Sequence, residues 1–213
     1  MYYLVIDVET TGLTSKDEVI QFCGILLNDD LTKCKDFFDF YCMSTVKITD
    51  EAYNVHHINL DLLRKLSGDK FFEEYFYKVK KRIPQDCIVI QYGSGFDTRM
   101  INQTLEHARL PKYDFGKTVT SLKGVSGVVN LNLMAYASKV FGSGRYLKLQ
   151  NAMKRIDGYD SRQFEDMYHT FNANLKKSGV PDPGNTILAH NARYDAFCTW
   201  YLARYLLKRY GLQ

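Results

Sequence analysis

No apolar run in this 213-residue chain approaches the length of about 18 residues that a membrane-spanning helix needs. The amino terminus enters an apolar stretch directly, with no basic lead and no small-residue cleavage site, so no secretory signal is expected. The five cysteines, Cys23, Cys34, Cys42, Cys87 and Cys198, are odd in number and scattered, and no Cys-x-x-Cys pair occurs. That spacing argues against a disulfide framework and against a zinc site. Cys23 and Cys87 lie in apolar runs and read as small core residues, a usage that suits a reducing compartment. A soluble, cytoplasmic protein without a membrane partner is the expectation. The sequence also lacks solenoid-spaced repeats and low-complexity segments, which excludes repeat architectures and compositional linkers.

What remains has an ordinary globular composition, 46% hydrophobic and 24% charged. At roughly 100–200 residues per domain, the length predicts one domain spanning 1–213, with room for an insertion. A chain this long buries a full core without covalent staples. The net charge of +4 permits a polyanionic partner without requiring one. Sixteen tyrosines and thirteen phenylalanines can fill a core and can also offer flat faces to bases.

Patterning predicts strands at Tyr2–Asp7 and Val19–Leu27, joined by a polar turn, and a third, alternating strand at Cys34–Cys42. Short helical segments follow over Ile48–Ile58 and Asp61–Leu66, then an amphipathic helix, basic at its end, that Pro84 closes. Cys87–Tyr92 reads as a fully apolar strand and Phe96–Leu110 as a helix. Two further helices are expected at Leu131–Phe141 and Leu147–Ile156, separated by a glycine-rich turn, and a last one at Ala196–Tyr210. Strands first, then strand and helices mixed, predict an α/β fold with a mixed sheet. An antiparallel meander precedes a parallel strand, and helices flank the whole. The stretch 157–184, helical in its middle and ending in a Pro/Gly loop, is the candidate insertion.

Three places put acids at the ends of apolar runs. In Leu4-Val5-Ile6-Asp7-Val8-Glu9-Thr10-Thr11-Gly12, the two acids are one residue apart. On a strand, positions i and i+2 share a face. Two anions held side by side repel, and burying each costs several kcal/mol without a partner. A divalent cation with a taste for oxygen, Mg²⁺ or Mn²⁺, resolves that conflict. A strand that ends near Ile6 and leaves both acids in water resolves it equally well. Asp97 stands at a helix start after another apolar strand, where it would also serve the helix dipole. If the last helix starts as early as Ala192, Asp195 lies one turn in, with His190 five residues before it on the preceding loop. A loop histidine beside a metal site can take a proton from water, and a surface histidine before a capping acid has the same pattern.

The three places together resemble the DEDDh 3′–5′ exonucleases of the DnaQ-like family, on the ribonuclease H-like fold. "IDVETTGL" matches that family's first motif, "GFDTRMI" its second and "HNARYDA" its third, in the family's order across nearly the whole chain. "AHNARYD" also resembles the second motif, but reading it so would leave no third; taking Asp97 for the second keeps all four acids. The resemblance implies that Asp7, Glu9, Asp97 and Asp195 hold two divalent cations, Mg²⁺ or Mn²⁺. It implies that His190 acts as general base, and that nucleoside 5′-monophosphates leave the 3′ end of single-stranded DNA or RNA. It further implies that Thr10, Thr11 and Leu13 approach the terminal nucleotide and that His56, in "VHHI", makes a structural or substrate contact. Two departures stand out. "YGSGFD" replaces the family's usual His-Asn-Ala opening of the second motif, and His57 replaces a usual glycine. His107 and His169 fall on predicted helix surfaces with no expected chemical role. The basic clusters Lys78, Lys80, Lys81, Arg82 and Arg204, Lys208, Arg209 read as solvated helix ends that could also bind phosphates. A catalytically weak nucleic-acid or polymerase-binding module of the same fold, and an enzyme acting on short oligonucleotides or dinucleotides, remain open. So does the setting: proofreading beside a polymerase or another replication or repair partner, RNA trimming, or degradation.

Overall fold

Side-chain alternation decides where each strand can sit. In β1 (Tyr2–Thr10), Leu4, Ile6 and Val8 point one way and Tyr3 and Val5 the other, and both sets are buried. A strand apolar on both faces belongs in the middle of a sheet with helices on each side. The computed structural model, which describes residues 1–125, 127–144, 146–177 and 190–211, places it there. β1 pairs antiparallel with β2 (Val19–Leu27), and β2 antiparallel with β3 (Cys34–Tyr41). On its other side β1 pairs parallel with β4 (Cys87–Gln91). The sheet continues, still parallel, through β6 (Val129–Asn132) to β5 (Lys117–Val119), giving the order β3-β2-β1-β4-β6-β5.

The mixed sheet is the one the sequence predicts, with two corrections. β5 is not legible in the pattern, and the segment beginning at Leu131, expected as helix throughout, opens as the end of β6. Asn132 makes that switch without a loop: it closes the strand, and its side chain accepts the Ala135 N–H at 3.1 Å as a helix cap.

Helices cover both faces. α1 (Asp50–His56) and α2 (Leu60–Ser67) pack with Ile20, Tyr41, Ile58 and Leu63 beside β2 and β3. α3 (Phe72–Lys80) and α4 (Phe96–His107) cover the Leu4–Ile6–Val8 face, where Phe22, Phe72 and Phe76 are fully buried. α5 (Leu133–Val140), α6 (Leu149–Met153), α7 (Ser161–Lys177) and α8 (Ala192–Tyr210) cover the Tyr3–Val5 face. Each fully buried phenylalanine or leucine contributes about 1.5–3 kcal/mol, so these two layers hold the fold. Of the expected insertion at 157–184, the structure shows α7, whose Phe164 packs its ring against Tyr194, Phe197 and Tyr201 of α8. Residues 178–184 of it lie outside the described residues. No helix among the described residues is long and apolar enough to cross a membrane.

Because β1 and β4 run parallel, their carboxyl ends lie together, and α4 starts directly after β4. α8 packs its length against β1 and β2. Everything the acids need therefore converges at one end of the sheet.

Candidate active site

β1 does not stop at Ile6. It runs through Thr10, so Asp7 and Glu9 continue the face that carries Tyr3 and Val5. Neither acid is fully exposed. Asp195 enters that face from the first turn of α8, and one carboxylate oxygen from each of Asp7, Glu9 and Asp195 lies within 4.8 Å of the others. Asp97, 5% exposed, comes from the first turn of α4, and its Oδ1 accepts the Val8 N–H at 3.2 Å. The strand residue between the two acids thus holds a third.

The electrostatics follow from that crowding. Desolvation, then Asp97, Asp195 and Glu9, push the Asp7 carboxyl well above the usual range. Desolvation, then Asp195 and Asp97, do the same to Glu9. Burial raises Asp97 to about 7 against the pull of the Val8 N–H, and raises Asp195 to about 7 against the pull of the His190 N–H. No basic side chain acts on any of the four to lower its pKa, among the described residues. Four converging oxygen donors without a cation of the protein's own fit a divalent metal ion.

His190 precedes α8 in the left-handed region, φ 60°, with its ring exposed. Its backbone N–H donates to Asp195 Oδ2 at 3.2 Å. The main chain of His190 thus orients the acid, and that bond does not involve its side chain.

Two buried glutamines, which carry no sequence signature, set the acid-bearing helices. Gly95 precedes α4 at φ 93° and has no side chain with which to cap it. Gln91, at the end of β4, supplies the missing cap: its Oε1 accepts the Asp97 N–H at 3.1 Å and its Nε2 donates to Thr98 Oγ1 at 3.3 Å. Gln21, opposite Glu9 on β2, accepts the Ala192 N–H at 3.2 Å, and Asn191 caps the same helix through the Arg193 N–H at 3.1 Å. Arg193 in turn forms a buried ion pair with Asp39. None of these roles is marked by a motif in the sequence.

The loop after Glu9 is anchored by its own polar groups. Thr10 Oγ1 donates to the Gly12 carbonyl at 2.7 Å, and Thr11 Oγ1 donates to Asp17 Oδ1 at 2.8 Å while accepting the Glu18 N–H at 3.0 Å. Glu18 is itself buried and accepts hydrogen bonds from Ser44 and Thr45; His107, on α4, stands 3.4 Å from it. Leu13, by contrast, is 75% exposed at the loop tip. His56 is buried: its Nδ1 accepts the Ile58 N–H at 2.9 Å, so the proton sits on Nε2 and goes to the Thr10 carbonyl at 3.1 Å. Burial pulls its pKa down to about 4, which keeps it neutral and tied to main chain on both nitrogens. His57 caps α1 at φ 56°, a backbone position that favours glycine and explains the residue usual there. The two basic clusters do not join the acids. α3 ends shortly before the amino end of β4, at the opposite end of that strand from Asp97, Arg82 pairs with Asp36 of β3, and α8 runs from Asp195 away toward Lys208 and Arg209.

A mixed sheet with helices on both faces and four acids gathered at one end is a ribonuclease H-like fold. The chain belongs to the exonuclease family described by the RNase_T model, which matches residues 4–203. Among curated proteins it is similar to a PolC-type DNA polymerase III of Ureaplasma parvum, with 25% identity over 104 residues. That match takes in 48% of this chain and 7% of the polymerase, so the chain spans a small fraction of that relative's length. Among solved structures it shares its fold with the nuclease domain of 3′hExo, a DEDDh family member bound to rAMP. The TM-score is 0.63 and the identity 18%, over 97% of this chain and 92% of that one. It also shares its fold with Escherichia coli ExoI in a zinc-bound complex with single-stranded DNA. There the TM-score is 0.65 and the identity 14%, over 99% of this chain and 41% of that one.

Proposed function

We propose that the protein is a 3′–5′ exonuclease that releases nucleoside 5′-monophosphates from single-stranded 3′ ends, with two divalent cations, Mg²⁺ or Mn²⁺, held by Asp7, Glu9, Asp97 and Asp195. The observation that carries this reading is the approach of Asp7, Glu9 and Asp195 to within 4.8 Å of one another, with Asp97 fixed alongside by Val8. When bound, such cations neutralise the acids, acidify an attacking water and stabilise the leaving 3′-oxygen.

The chain's own residues do the rest. His190, exposed and one turn from Asp195, takes the proton as the water oxygen bonds to phosphorus. The bond to the 3′-oxygen of the penultimate nucleotide breaks, leaving a 3′-hydroxyl on the strand and a 5′-phosphate on the released nucleotide. Leu13, apolar and exposed in the loop after Glu9, packs against the terminal bases, and the main chain of Thr10 and Thr11 lines the approach. His56 supports that approach from behind by holding the Thr10 carbonyl.

The likeness to a polymerase segment supports DNA and a polymerase partner, whereas the likeness to a nuclease domain bound to rAMP supports RNA. One experiment tests the reading: 3′-labelled single-stranded DNA, duplex DNA and RNA, each with Mg²⁺, Mn²⁺ or chelator. Metal-dependent release of 5′-monophosphates from the 3′ end is the expected result. Release from the 5′ end, or equal turnover in chelator, would refute it.

A further inference from the structure

Arg193 and Asp39 form an ion pair whose side chains are 3% and 1% exposed. Arg193 is the second residue of α8, and Asp39 lies on β3, two strands away from the acids of β1. The register runs Asp7–Cys23–Asp39 in one row and Glu9–Gln21–Tyr41 in the next, so the pair stands on the acid-bearing face. Gln21 Nε2 reaches Asp39 Oδ1 and Asn191 Oδ1, each at 3.4 Å. Asn191 Nδ2 donates to the Tyr41 hydroxyl at 3.0 Å, and Arg193 Nη1 donates to Asn172 Oδ1 of α7 at 3.4 Å. The first turn of α8 is thereby bonded to β2, β3 and α7.

Stability alone gives no reason for this arrangement. Drying both charges is costly, and apolar pairs of similar volume are often at least as stable. What a guanidinium adds is direction: its planar donors fix both the distance and the rotation of the helix end. Asp195 lies two residues further on, and a metal ligand needs its geometry held to within about 0.5 Å.

We propose that the Arg193–Asp39 pair, with Gln21 and Asn191, is the positioning device that sets the rotation of α8 so that the Asp195 carboxylate meets Asp7 and Glu9. The proposal rests on the metal-dependent reading above. Its test uses the full chain with two variants, Asp39→Leu/Arg193→Met and Arg193→Lys. The readouts are Mn²⁺ binding without substrate by electron paramagnetic resonance, the unfolding midpoint in chelator, and kcat and KM separately. The expected result is an unfolding midpoint within a few degrees of wild type for the double variant. Mn²⁺ affinity falls by about 10–100-fold, the range for losing outer residues that orient a ligand. The same factor appears in kcat while KM stays near its starting value. Arg193→Lys, which keeps the charge and loses the planar fork, shifts in the same direction. Wild-type Mn²⁺ affinity in either folded variant overturns the proposal. So does loss of folding in both, because the pair would then be a stability element first. A wild-type chain that binds no Mn²⁺ would instead refute the earlier reading.

Discussion

Val8 donates its backbone N–H to Asp97 Oδ1 at 3.2 Å, so the strand that carries Asp7 and Glu9 also grips the acid delivered by α4. Asp97→Asn keeps an oxygen for that bond and removes the charge. Turnover on a 3′-labelled oligonucleotide should fall by more than about 100-fold, beyond what losing a mere partner of a ligand costs. Thermal stability in chelator should move the other way. One of four mutually repelling acids is gone, and each kcal/mol recovered is worth about 2–4 °C at this size. Calorimetry of the chelated variant checks the second half, and a lowered midpoint would contradict the electrostatic account.

The same crowding gives the metal-free protein an unusual pH profile. Asp97 and Asp195 titrate near 7 in the folded chain, with Asp7 and Glu9 also raised, against ordinary carboxylate values when unfolded. Between those limits the folded state binds more protons than the unfolded one, so stability is fully present below about pH 4 as far as these groups are concerned and declines toward neutrality. In chelator the unfolding midpoint should therefore fall as pH rises from 5 to 8. Added Mn²⁺ should restore it, and restore more at pH 8 than at pH 5, where protons compete for the carboxylates. Unfolding scans at both pH values, with and without metal, decide this. Equal Mn²⁺ stabilisation at both would count against the acids as its ligands.

Much of this is legible in the sequence. The antiparallel meander, the apolar β4 and the acids at strand ends all come from patterns longer than five residues. β5 and β6 do not, because three and four residues are too few to show a period, and each is placed by its neighbour, β6 by β4 and β5 by β6, rather than by its own sequence. Asp39 sits in an alternating run that reads as solvent on one side; its partner Arg193 arrives 154 residues later, a pairing that spacing does not reveal. Gln21 and Gln91 escape for another reason. An amide that caps a helix across space carries no motif, and only the uncapped Gly95 hints that a partner must exist.

Gly12 occupies a position where a Cβ would stand 2.7–2.8 Å from the Asp17 carboxyl atoms. That carboxylate binds Thr11, the Thr14 N–H and the Thr14 hydroxyl, and these bonds hold its pKa down against the upward push of burial. Gly12→Ala must displace it. The expected loss is about 1–3 kcal/mol of stability, the range for disturbing a buried hydrogen-bonded group. Leu13 follows directly, so KM for an oligonucleotide should rise while Mn²⁺ affinity, set by residues outside the loop, stays unchanged. Denaturant titration with parallel kinetics checks both parts.

His190 separates two roles that usually travel together. Its backbone N–H orients Asp195, and its exposed ring is the proposed base. Substituting the ring leaves the backbone bond in place. His190→Ala should keep Mn²⁺ affinity near that of the parent and lose about 10²–10⁴-fold in kcat, the usual worth of a positioned base. Added imidazole should return part of that rate if the missing function is proton removal alone. Loss of Mn²⁺ binding in the variant would assign the ring to the metal centre, and an unchanged kcat would remove it from the chemistry.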